Sequence, residues 1–126
     1  MSDRHEEGMR VRREVLGDEH VDAAVEATTM DTAAFQELIT RYAWGEIWAR
    51  PELDRRTRSA ITLMALIALN RERELEMHIR AALRNGLTRD EIREVLLHSA
   101  IYCGVPAANG AFAIFQDVMA DEEGGT

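Results

Sequence analysis

The sequence contains no lysine, so all 15 of its basic residues are arginine. A Schiff-base mechanism through a lysine amine is therefore excluded. Cys103 is the single cysteine in 126 residues. It cannot form an intramolecular disulfide, which fits a reducing compartment. It precedes Gly104 at an expected helix end, where the negative pole of the helix works against a nucleophilic thiolate. The longest apolar run, Ala60 to Leu69 interrupted only by Thr62, falls well short of the roughly 20 residues that span a bilayer. No apolar region follows the charged start Met-Ser-Asp-Arg-His-Glu-Glu, so no secretory signal is read and a cytoplasmic protein is expected. The sequence also lacks a glycine-rich phosphate loop, a Gly-x-Ser-x-Gly elbow and a paired-cysteine zinc pattern. A formal net charge of −8 argues against nucleic acid as a partner.

What is present is an ordinary globular composition, 46% hydrophobic and 30% charged. The length predicts one domain over residues 1–126, with residues 1–7 and 121–126 as frayed tails. No convincing alternating strand pattern occurs, so the expected fold is all-α, with six or seven helices. Residues 3–16 read as the first helix, with only a ragged stripe from Met9, Val11, Val15 and Leu16. Asp18 can cap a short helix to about Ala27. Asp31 or Thr32 can cap a third, running to about Trp48. In that helix Phe35, Leu38, Ile39 and Tyr42 follow helical spacing, Gly45 blurs the end, and Arg50-Pro51 breaks the chain. Asp54 opens a helix from Arg55 to Leu69 that is apolar nearly all round from Ala60, as a central buried helix would be. Asn85-Gly86 closes the next helix. Thr88 and Glu91 then form a capping box, with Leu87 and Ile92 at the staple positions. That helix should reach about Cys103, with Ile92, Val95, Leu96 and Ser99 facing inward. Pro106 fits the first turn of a last helix ending near Ala120.

Residues 71–92 hold the clearest chemical signal. Leu75, His78, Ile79 and Ala82 share one helical stripe, and Glu74 precedes His78 by one turn, where the two side chains can meet. A carboxylate beside an imidazole on an apolar face can be an acid–base unit; it can equally be a core-edge histidine with a satisfied hydrogen bond. His5 and His20 lie in polar surroundings and read as solvated surface residues. His98 can approach His78, but no ligand spacing supports a metal site. Trp44 and Trp48, at i and i+4, read as packing or interface aromatics. Arg55, Arg56 and Arg58 crowd a helix start, where the macrodipole disfavours cations. Glu52 and Asp54 can neutralise them, or the cluster can bind a carboxylate.

Three runs carry a resemblance: "GMRVRREVLGDEHVDAA", "FQELITRYAWGEIWARPELDRRTRSAITL" and "ELEMHIRAALRNGLTRDEIREVLLHSAIYCGVPAANGAF". From about Gly8 to Val118 the chain closely resembles the carboxymuconolactone decarboxylase family, whose wider group has the all-helical alkylhydroperoxidase D-like fold. The peroxidase branch of that group carries a Cys-x-x-Cys pair shortly before a histidine. The corresponding positions here look like Arg71 and Glu74, with His78 retained. Without two thiols a disulfide redox cycle is impossible, so the departure points to the decarboxylase branch.

The resemblance implies a small anionic substrate, 4-carboxymuconolactone, converted to 3-oxoadipate enol-lactone and carbon dioxide in protocatechuate catabolism. It implies no metal or organic cofactor, no membrane partner, and dimers that assemble into a hexamer. On this reading His78 is the general acid, oriented by Glu74 or instead by Glu46. Arg56 or Arg58 clamps the acetate carboxylate, and Tyr102 and Asn109 are candidate oxyanion donors. A thiol-based antioxidant of the same fold and a non-catalytic helical oligomer are the competing readings.

Overall fold

The computed structural model describes residues 3–124, and among them all regular structure is helical. The order is α1 (Asp3–Leu16), α2 (Asp18–Ala27), α3 (Ala33–Ile39), a π-helical segment (Thr40–Trp48) that continues α3, α4 (Arg55–Ala68), α5 (Glu72–Arg84), α6 (Arg89–Tyr102) and α7 (Val105–Gly124). The fold is all-α, as the periodicity predicts. The chain divides into two compact units, the first ending at Arg55 and the second beginning at Arg56.

In the first unit α1 lies against the π segment at very close range. A Cβ on Gly8 would overlap the Thr40 carbonyl, and one on Gly45 would come 2.5 Å from the Arg4 carbonyl oxygen. Gly45 thus marks a backbone crossing inside the helical run. The stripe expected from Phe35, Leu38, Ile39 and Tyr42 does not form a buried face: Phe35, Leu38 and Tyr42 are 59%, 57% and 59% exposed and Ile39 is partly buried, while Thr40 and Trp44 are buried instead. For Tyr42 the reason is the π segment, since the spacing rule assumes 3.6 residues per turn and hydrogen bonds from i to i+5 widen the turn and rotate later side chains out of phase. Trp44 stacks on Trp48 with ring centroids 5.3 Å apart. At the start of α2 the cap position falls to Gly17 at φ 94°, without a side-chain bond. Asp18 sits in the first turn, accepting from Arg13 Nη1 at 3.1 Å.

The second unit is built round an apolar cluster that includes Leu63, Ile67, Leu75, Ile79, Ile92, Leu96 and Phe115. The box at α6 forms as expected: Glu91 N–H donates to Thr88 Oγ1 at 3.1 Å and Thr88 N–H to Glu91 Oε1 at 2.9 Å. Leu87 and Ile92 are both buried beside it. Helix α4 is buried on one face only, contrary to its all-round apolar pattern. Ser59, Leu63 and Ile67 point inward, but Ile61 is 55% and Leu69 60% exposed. Helix α7 runs past Ala120 to Gly124. Its acidic end is held by arginines, Arg80 with Asp121 at 2.9 Å and Glu122 at 3.0 Å, and Arg89 with Glu123. The sequence reading expects these residues to fray.

Candidate active site

His78 sits on α5 between the buried residues Leu75, Ile79 and Ala82. It is half-buried, and its Nδ1 is shielded from solvent. The helix holds it there because the apolar stripe on either side packs into the core, leaving the imidazole at the margin between core and surface. Glu74, one turn earlier, is exposed. Glu46 belongs to the first unit, where its carboxylate lies 2.7 Å from Arg4 Nη1.

The arginines at the start of α4 have separate fates. Arg56 is committed to its own fold. Its Nε donates to the Gly86 carbonyl at 3.1 Å, and its Nη2 pairs with Glu91. Those contacts hold the Glu91 carboxyl below its ordinary pKa, through the Arg56 bond first and the Thr88 backbone bond second. Gly86, at φ 103°, lies against the Arg56 side chain; a Cβ there would come 3.2 Å from Arg56 Cγ. Arg55 pairs with Glu14 at 2.8 Å. Glu14 thus meets Arg55 and Glu91 meets Arg56, while Glu52 lies 3.7 Å from Arg50. Arg58 is half-buried and its Nε is out of solvent. Of the two candidate clamps, Arg58 has the more desolvated guanidinium.

Tyr102 is 75% exposed at the end of α6, its ring 5.2 Å from that of His98. Asn109 is exposed on α7. Donors to a developing oxyanion work best where water is excluded, so either residue would need cover from beyond its own helix. His98 and Glu94 line an open, mainly apolar groove of about 430 Å³ with Ile61, Met64 and Val95. Cys103 is partly buried, with its thiol 3.7 Å from Met64 Sδ. No group of three or more His, Cys, Asp or Glu side chains suited to a metal occurs among the described residues.

The sequence reading does not single out Arg12, which is 6% exposed inside the first unit. The signal was available: Gly8, Val11, Arg12 and Val15 are all buried on one face of α1, so the stripe looks ragged because an arginine occupies a core position. His5 is likewise not a simple surface residue; it is half-buried with Nδ1 2.9 Å from Glu37 Oε1.

An all-helical scaffold with a margin histidine and one cysteine fits a decarboxylase better than a two-thiol reductase, and comparison with known proteins agrees. The chain belongs to the carboxymuconolactone decarboxylase family, whose profile matches residues 33–117. Its reaction class is that of a carboxy-lyase. It is 47% identical to the 4-carboxymuconolactone decarboxylase of Acinetobacter baylyi over 118 residues, 94% of this chain and 88% of that protein. It is 46% identical to a nitrosuccinic acid decarboxylase of Metarhizium robertsii over 116 residues, 92% of this chain and 81% of that one. A 4-carboxymuconolactone decarboxylase of Pseudomonas putida matches at 51% over 43 residues, 34% of this chain and 90% of that protein.

Proposed function

We propose that this protein converts 4-carboxymuconolactone to 3-oxoadipate enol-lactone and carbon dioxide, in the catabolism of protocatechuate, with His78 as the proton donor. The observation that carries the substrate is the 47% identity to the Acinetobacter enzyme across most of both chains. The chemistry suits a site built from side chains alone. The bond to the leaving carboxylate breaks, and its electron pair moves through the ring double bond to the lactone carbonyl oxygen. A proton then adds to the carbon beside that carbonyl, giving the enol-lactone. The protein must anchor the acetate arm, stabilise the oxyanion and deliver the proton. Arg58 is the better anchor, since it is less exposed than Arg56 and its Nε is out of solvent. The leaving carboxylate should be held loosely, because tight pairing would stabilise the ground state. Tyr102 and Asn109 remain the oxyanion donors of this reading, with Glu74 or Glu46 orienting the imidazole.

The fungal relative favours a second, broader reading. Nitrosuccinate and 4-carboxymuconolactone share one skeleton: a carbon bearing the leaving carboxylate, an acetate arm, and a group that takes up electrons onto oxygen. In one acid that group is the nitro substituent, in the other the unsaturated lactone. The site would then select the dicarboxylate skeleton and accept either electron sink. Assays of both acids side by side decide between a broad site and one restricted to the lactone.

We further infer a cytoplasmic homo-oligomer, dimers assembling to a hexamer. Supporting it are exposed apolar side chains in each unit, Phe35, Leu38 and Tyr42 in the first, Leu97, Ile101 and Val105 in the second. A second copy could also supply the cover that Tyr102 lacks.

The test follows the ultraviolet absorbance of the lactone with purified protein. His78→Ala should lower turnover at least about a hundredfold, the share a positioned general acid supplies, with the helical circular dichroism unchanged. Near-normal turnover in that variant would remove His78 from the mechanism.

A further inference from the structure

The first unit contains an open cavity of about 440 Å³, lined by Arg12, Gln36, Thr40, Thr28, Met9 and His5 among others. Arg12 forms its charged wall. The guanidinium donates from Nη1 to Thr40 Oγ1 and from Nη2 to Gln36 Oε1, both at 3.2 Å. Both acceptors are neutral. Its Nε is buried and has no hydrogen-bond partner among the described residues. A guanidinium has five N–H donors and no way to shed its charge at ordinary pH. Enclosing it without a counter-ion is expensive. The acid on the cavity wall, Glu37, is already engaged by Arg41 and by His5.

The Nε–H is sealed from the cavity, so a ligand there meets the Nη end of the guanidinium, where each nitrogen carries two N–H groups and one of each is taken by Thr40 or Gln36. The Nη–H groups left over suit a carboxylate oxygen. We propose that this cavity binds a small carboxylate, held by a charge-assisted contact to Arg12, with Gln36 and Thr40 fixing the guanidinium in place. The ligand is either a carboxylate of the substrate itself or that of a separate small acid. Arg12's positive charge already reaches its surroundings: it contributes, after desolvation, to holding the His20 imidazole below its ordinary pKa. A bound carboxylate would cancel that contribution, which makes His20 a reporter that requires no mutation.

The experiment titrates the full chain with sodium succinate, keeping ionic strength constant with sodium chloride. Calorimetry should show saturable binding, and the His20 titration followed by proton NMR should move upward. Arg12→Met should weaken succinate binding roughly 10- to 100-fold, the range for a charge-assisted contact, while the helical content stays the same. No saturation by roughly 10 mM succinate, or equal binding by Arg12→Met, overturns the proposal. Should Arg12→Met fail to fold, Ala33→Phe keeps Arg12 and its two partners and fills the cavity from its wall. Binding must fall in that variant, and undiminished binding overturns the proposal as well. With the lactone as substrate, competitive inhibition by succinate assigns the site to a substrate carboxylate, and non-competitive inhibition to a separate acid. The binding measurements stand whether or not the lactone is turned over.

Discussion

The two units solve the problem of an interior in opposite ways. The second closes over a continuous apolar cluster and keeps Arg56 outside, where a carboxylate meets it. The first brings two helical backbones together at glycines and encloses Arg12 among neutral partners. An apolar interior yields stability in proportion to buried area. A buried cation yields little or none, and is retained where its charge has a task or its geometry fixes an arrangement. The contrast teaches that stability resides mainly in the second unit, and that the first is shaped round a polar contact.

Three substitutions would break or sharpen that contrast. The largest effect belongs to the apolar cluster: Leu96→Ala should cost about 2–5 kcal/mol in denaturant unfolding, because Leu96 is fully buried and its loss leaves a cavity. A cost below 1 kcal/mol, read with the ordinary midpoint method, would deny the cluster its leading part. Next comes Gly8→Ala. In an exposed helix this change would stabilise by about 1 kcal/mol; here the added methyl meets the Thr40 carbonyl, so the sign should reverse to a loss of about 1–3 kcal/mol. A stabilised variant would show that α1 does not need its close approach. The smallest effect is expected from Arg56→Ala, a small loss of stability because the pair it breaks is largely solvent-screened. It carries a pH signature. Glu91 has a folded pKa below its ordinary 4.5, so its contribution is present above that value and lost as pH falls through the folded pKa. Arg56→Ala should flatten this acid limb, and an unchanged limb would mean that the ion pair is inert.

The sequence made the second unit legible because its signals are local. Thr88, Glu91, Asn85-Gly86 and the Leu75–Ala82 stripe each act within a turn or two, and each appears where spacing put it. The first unit resisted because its organising contacts are distant in sequence: Gly8 with Thr40, and Arg12 with Gln36 and Thr40. The π segment adds a second cause, since no residue pattern announces a change of helical repeat, and Tyr42, inside that segment, came out exposed while Thr40 and Trp44 are buried. Of the candidate site, His78 was visible as a polar residue in an apolar stripe. The engagement of Arg56 by Glu91 was not, because nothing in a sequence shows which of three neighbouring arginines meets a carboxylate 35 residues away.

Glu91 accepts from the Thr88 backbone and from Arg56, while Arg56 also reaches the Gly86 carbonyl. One carboxylate therefore fastens the start of α6, the turn before it and the first turn of α4. Such a joint does not loosen piece by piece. The opening that exposes amides at the head of α6 must also release the head of α4, so the two segments, far apart along the chain, should exchange their hydrogens as a single cooperative unit.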